Sequence, residues 1–215
     1  MRKILSLFLT IGLVLSLSLT GFANENNNLE IQKFKKELSE KDLLKEKNKK
    51  IEEEILKEID KLGNKKDSIP QWEYKTEEID SVQKYDYPMG YAGNQSPRGV
   101  AFKQKGGRIH WRDEGVEENI TFSVSVAGGP ISVGVCAGTG EVSSKVTEYS
   151  AEVPDEYINK KVKLFVYRDF DVTIHEMKRR RIYGNTGKYG DWEYVKTFPV
   201  ALKVGIGLEI KKVNN

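Results

Sequence analysis

Hydrophobic and polar positions alternate most strictly between Asn119 and Cys136. Ile120, Phe122, Val124 and Val126 share one parity, with Thr121, Ser123 and Ser125 between them. Ile131, Val133 and Val135 repeat the pattern against Ser132, Gly134 and Cys136. A period of two places each apolar set on one face of a strand. Ala127-Gly128-Gly129-Pro130 interrupts it with turn dipeptides. The stretch predicts two consecutive β-strands with one apolar face and one face of small polar residues.

The same period recurs to the C-terminus. Gly99 to Gln104 and Arg108 to Arg112 read as a hairpin across Lys105-Gly106-Gly107. Glu141 to Val153 reads as a longer polar strand, and Lys161 to Tyr167 and Val172 to Lys178 as two more. Trp192 to Phe198 alternates after the Gly-rich turn from Gly184 to Gly190. Leu202, Val204, Ile206, Leu208 and Ile210 predict one buried face of a last strand. By contrast, Gln71 to Ser96 scatters aromatic residues among charges and reads as a wrapping loop, with a short strand near Trp72. No helical period follows residue 70. The expected class is therefore mainly β: an antiparallel β-sandwich or barrel-like domain over residues 69–215.

A charged α-helical segment precedes it, over residues 24–68. Its apolar positions 31-34-38 and 51-55-59-62 have helical spacing among many Lys and Glu residues. Few positions suit a coiled-coil seam, so a solvated spacer is the first expectation. A coiled coil, with homo-oligomerisation through this segment, is the second. Residues 1–23 read as a signal peptide: Arg2 and Lys3, an apolar run from Ile4 to Leu19, then Gly21-Phe22-Ala23. That predicts a secreted, extracellular protein with no integral membrane segment after cleavage. Abundant Lys, Glu, Asn and Ile point to a bacterial source. No cysteine follows the apolar run to carry a lipid anchor.

The formal net charge is +3, of which Arg2 and Lys3 supply two. The cleaved chain would be nearly neutral, which argues against a nucleic-acid partner. Cys136 is the single cysteine, so no intrachain disulfide forms. Its strand position suits a small, buried and inert thiol better than a nucleophile served by His110 or His175. The two histidines lack metal-ligand spacing, and Asp169-Phe170-Asp171 fits turn chemistry better than calcium binding. No metal or cofactor is expected. Asn94 and Asn119 open glycosylation sequons, which are read as chance.

Two features suggest binding. Trp72, Tyr74 and Tyr87 lie in the aromatic stretch and could meet sugars, although covering a sheet edge is the plainer role. Lys178, Arg179, Arg180 and Arg181 form the one basic run and could meet anionic polymers or headgroups, or simply blunt an edge strand. The first functional expectation is a non-enzymatic surface-interaction module, with a cell-wall polymer, glycan or protein as partner. The second starts from the 119–136 stretch, whose Val/Ile/Phe face and Ser/Thr/Gly face resemble the membrane-inserting hairpin of β-barrel pore-forming toxins. That resemblance implies one face toward lipid and one toward water. A hydrolase on a jelly-roll scaffold, using Glu148, Asp169 or Glu193, is the third.

Overall fold

The computed structural model describes residues 31–35, 39–63, 71–114, 117–145, 148–183 and 187–213. The expected signal peptide lies outside them. The chain folds as β1 (Gln32–Lys35), α1 (Glu40–Gly63), β2 (Gln71–Tyr91), β3 (Val100–Ala101), β4 (Arg108–Arg112), β5 (Glu117–Val126), β6 (Gly129–Gly138), β7 (Glu141–Val142), β8 (Tyr149–Glu152), β9 (Lys161–Tyr183), β10 (Lys188–Tyr189) and β11 (Glu193–Lys212). It is mainly β, with antiparallel ladders and a helix ahead of the sheet domain.

β9 is the spine. It is 23 residues long, with β11 paired along one edge and β2 along the other. Val162, Leu164, Val166, Phe170, Val172 and Ile174 are all buried on one face. A small sheet, ordered β7-β4-β8, covers the first part of this face. Trp111 and Tyr149 from it pack with Leu164, Val166, Ile206 and Leu208. The β5–β6 hairpin covers the second part, where Phe122, Val124, Val133 and Val135 meet Phe170, Val172, Ile174 and Ala201. The packing is sandwich-like: apolar faces of separate sheets meet, and the polar parity of the hairpin faces water.

Several local expectations change. Residues 71–91 are one long strand rather than a loop. β2 is an edge strand with register shifts at 78/80, 84/87 and 88/90, so no period survives in its sequence. Val100 and Ala101 pair with β9 instead of forming a hairpin with residues 108–112. Among the described residues of the expected 141–153 strand, 141–142 and 149–152 are strand. In β11 a shift between Lys203 and Gly205 reverses the faces. Ile206, Leu208 and Ile210 face the small sheet, whereas Leu202, opposite Asp171, faces the other way.

The charged segment is docked. Gln32 to Lys35 pair with β11 as a strand, where the sequence suggested helix. In α1, Ile51 and Ile55 pack against Met177, Phe198 and Val200, on the sheet face opposite the hairpin. Lys196 adds ion pairs to Glu54 at 2.8 Å and Glu58 at 2.9 Å, and Lys50 Nζ donates to the Ala201 carbonyl at 2.7 Å. Desolvation works against the Lys196 charge, but the two carboxylates outweigh it and hold its pKa above the usual lysine range.

Candidate functional site: an uncharged hairpin and a cation–aromatic end

The hairpin is a sheet of its own. β5 and β6 pair with each other over ten residues each, from Glu117 opposite Gly138 to Val126 opposite Gly129. No strand of the long sheet pairs with either. No side chain from Asn119 to Gly140 carries a charge. The apolar face pairs Ile120 with Val135, Phe122 with Val133 and Val124 with Ile131. The exposed face pairs Asn119 with Cys136, Thr121 with Gly134 and Ser123 with Ser132.

Side-chain packing and polar ties at the base hold the hairpin down. Lys203 Nζ meets Glu117 Oε1 at 2.5 Å. Arg168 is buried under the base, pairs with Asp113 and donates to the Gly138 carbonyl at 3.1 Å. Its guanidinium lies 5.3 Å from the Trp111 ring. The base therefore sits at the level of Arg168, and the hairpin runs across Phe170, Val172 and Ile174. β4 and β7 continue its two arms: Arg112 stands opposite Glu141, five and three residues from the first hairpin pair.

Cys136 is exposed, which corrects the expectation of a buried thiol. It donates to Glu117 Oε2 at 3.3 Å. That hydrogen bond to a carboxylate pushes the thiol pKa up. Lys203, the chief partner of Glu117, holds the carboxyl below its usual range. An exposed thiol with a raised pKa is a poor nucleophile. His175 is elsewhere, on the opposite sheet face, within 2.9 Å of Thr173 Oγ1 and stacked on Phe198. His110 pairs with Ser150 in the small sheet.

The candidate hydrolase carboxylates do not converge. Glu193 pairs with Arg179 at 3.6 Å, and Asp169 accepts from the Asp86 backbone at 2.8 Å. Ten residues of β9 separate those two levels, roughly 33 Å of strand. Glu148 lies just ahead of β8. Among the described residues no group of three His, Cys, Asp or Glu is placed to hold a metal ion. No helix among them is long and apolar enough to cross a membrane.

A second assembly forms at the far end of the long sheet. Pairing of β2 with β9 sets Trp72 against Arg181 and Tyr74 against Arg179, so the aromatic stretch and the basic run meet. The Arg179 guanidinium lies 4.4 Å from the Trp72 ring. On the other face, Arg180 lies 4.0 Å from Tyr189 and 4.6 Å from Trp192, and Lys75 lies 4.8 Å from Trp192. Three of the four basic residues, Lys178, Arg179 and Arg180, are also paired with carboxylates. Arg180 pairs with Glu73 at 2.6 Å, and Lys178 pairs with Glu77 at 3.6 Å and Glu176 at 3.4 Å.

Of the expected binding residues, Trp72, Tyr74, Lys178, Arg179, Arg180 and Arg181 share this end. Tyr87 does not: it packs beneath the hairpin, 5.1 Å from Phe122. Tyr74 also packs against the Met177, Phe198 and Val200 cluster on which α1 sits. Tyr189, Trp192 and Tyr194 were not singled out. Antiparallel pairing of β10 and β11 with β9 sets them beside the basic run. No family model, curated protein or solved structure matches this chain.

Proposed function

We propose that the chain is a membrane-active β-protein that stores residues 117–138 as a docked hairpin and releases them into a bilayer. The observation that carries this reading is the hairpin's geometry. Two strands of ten residues have the length of a membrane-spanning strand, ~9–11 residues. Past Glu117 and Glu118 at the base they carry no charge, and among the described residues no backbone ladder ties them to the rest of the fold. The face now buried on Phe170, Val172 and Ile174 would be buried again in lipid, so release exchanges one apolar contact for another. The Ser/Thr/Gly face, already in water, would line an aqueous lumen.

One hairpin leaves two open edges, which a bilayer does not tolerate. Closure into even a small barrel needs about eight strands, hence about four copies of the chain. The reading therefore includes a homo-oligomer assembled through the hairpin, and it fits export through residues 1–23 from a bacterial cell. The cation–aromatic end favours a second reading, a secreted surface-binding module that never inserts.

Dye release from phosphatidylcholine vesicles separates the two. The purified chain is expected to release trapped dye. Val126→Glu and Ile131→Glu should suppress release, because both positions are only half-buried in the docked state and would face lipid after insertion. Intact vesicles at saturating protein would leave the module reading in its place.

A further inference from the structure

We infer that the far end of the long sheet, built by Trp72, Tyr183, Tyr189, Trp192 and Tyr194, docks the protein on the headgroup region of a neutral phospholipid bilayer. The choice of occupant rests on the membrane reading above; the surface itself rests on separate observations. Tyr183, Tyr189 and Tyr194 are 48%, 51% and 61% exposed and lie together at one end of the sheet. The rings occupy both faces of the sheet: Arg181 lies 5.5 Å from Tyr183, on the face of Trp72, while Tyr189 and Trp192 flank Arg180 on the other. Tyr and Trp concentrate at the membrane–water boundary because one part of the ring is apolar and another hydrogen-bonds.

Charge selects the lipid. An anionic surface attracts uncompensated basic clusters. Here Lys178, Arg179 and Arg180 are each paired with a carboxylate on a neighbouring strand and Arg181 lies over the Tyr183 ring, so the end offers rings and ion pairs with little excess charge. A zwitterionic headgroup layer complements such a surface.

Direction agrees as well. The hairpin base lies at Arg168, and its apolar face covers residues 170 to 174 of β9, so its turn points along the strand toward this end. Docking there would bring the hairpin turn toward the bilayer.

The test is sedimentation of the full chain with phosphatidylcholine vesicles and with vesicles containing phosphatidylglycerol. Binding to neutral vesicles is expected, within about threefold of that to the anionic ones. The double variant Tyr189→Ala/Tyr194→Ala should weaken it at least tenfold; both rings are exposed, so folding should be kept, as circular dichroism can verify. Tryptophan quenching by brominated lipid should be seen with the native chain and should diminish in Trp192→Phe. Binding confined to anionic vesicles, or undiminished binding by the double variant, would overturn the inference. Loss of binding in that variant, from a protein whose hairpin never leaves the sheet, would keep the inference and remove the insertion reading.

Discussion

Phe122 of the hairpin lies over Phe170 of the long sheet, with ring centroids 5.2 Å apart and planes inclined by 35°. Phe170 is fully buried and Phe122 nearly so. Truncating either ring should lower stability by ~3–5 kcal/mol, the range for a buried Phe→Ala change. Their effects on membrane activity should then diverge. Phe170→Ala weakens only the docked state and should speed dye release. Phe122→Ala also removes apolar surface that would enter lipid, so it should not. Chemical denaturation and release kinetics on the two variants check this; equal effects on release would count against a hairpin that leaves the sheet.

Gly140 closes the β6–β7 corner behind the hairpin with φ of +63°. A Cβ there would come within 2.5 Å of the Trp111 ring and nearer still to the Arg112 carbonyl. Trp111 is anchored, its Nε1 donating to the Thr139 carbonyl at 2.5 Å, so it cannot yield cheaply. Gly140→Ala should therefore cost more than ~1 kcal/mol, beyond any gain from a stiffer unfolded chain. A thermal midpoint equal to that of the native protein would show the corner to be looser than the structure has it.

His175 gives the fold a pH dependence. Burial lowers its pKa, and Lys47 lowers it further, while Glu78 acts weakly in the other direction. The unfolded chain takes up this proton near pH 6.5, before the folded protein does. The stabilisation is thus complete above about pH 6.5 and is lost as pH falls toward the depressed folded value. Thermal midpoints of the native protein and His175→Gln, measured from pH 7.5 to 5, should show a steeper fall for the native protein. Parallel curves would contradict the assignment.

Cys136 should be accessible to thiol reagents yet slow at neutral pH, because its hydrogen bond to Glu117 favours the protonated form. Glu117→Gln removes the carboxylate charge and should move the rate–pH profile to lower pH. The same variant loosens the tie to Lys203. That exposed pair contributes at most ~1 kcal/mol, so global stability should change little. Unchanged labelling in Glu117→Gln would show that the carboxylate does not control the thiol.

The hairpin was legible in the sequence because one of its faces is covered and the other is wet, which imprints a period of two on Ile120 to Val135. β2 was not, since an edge strand with three register shifts leaves residues such as Ile79 and Met89 outside its pairing with β9 and so breaks any alternation. The face of β11 was legible only from Ile206 onward. The shift between Lys203 and Gly205 reverses it without changing the apolar pattern, because Leu202 finds burial on the opposite face. Docking of α1 went unread because Ile51 and Ile55 are a short stripe whose partners, Met177, Phe198 and Val200, lie more than a hundred residues away. Trp72 and the basic run were each visible, but their meeting depends on a pairing between strands equally far apart in sequence.

Residues 117–138 are proposed to exchange a protein contact for a lipid contact. Single cysteines introduced at successive positions from Ile120 to Val126 in a Cys136→Ser background, each carrying an environment-sensitive fluorophore, test it directly. On adding phosphatidylcholine vesicles, probes at positions 120, 122, 124 and 126 should report an apolar environment that nitroxide lipids quench. Probes at 121, 123 and 125 should stay in water. A period-two pattern of lipid quenching is the predicted result; spectra that do not change with vesicles, or that change without alternation, would contradict it.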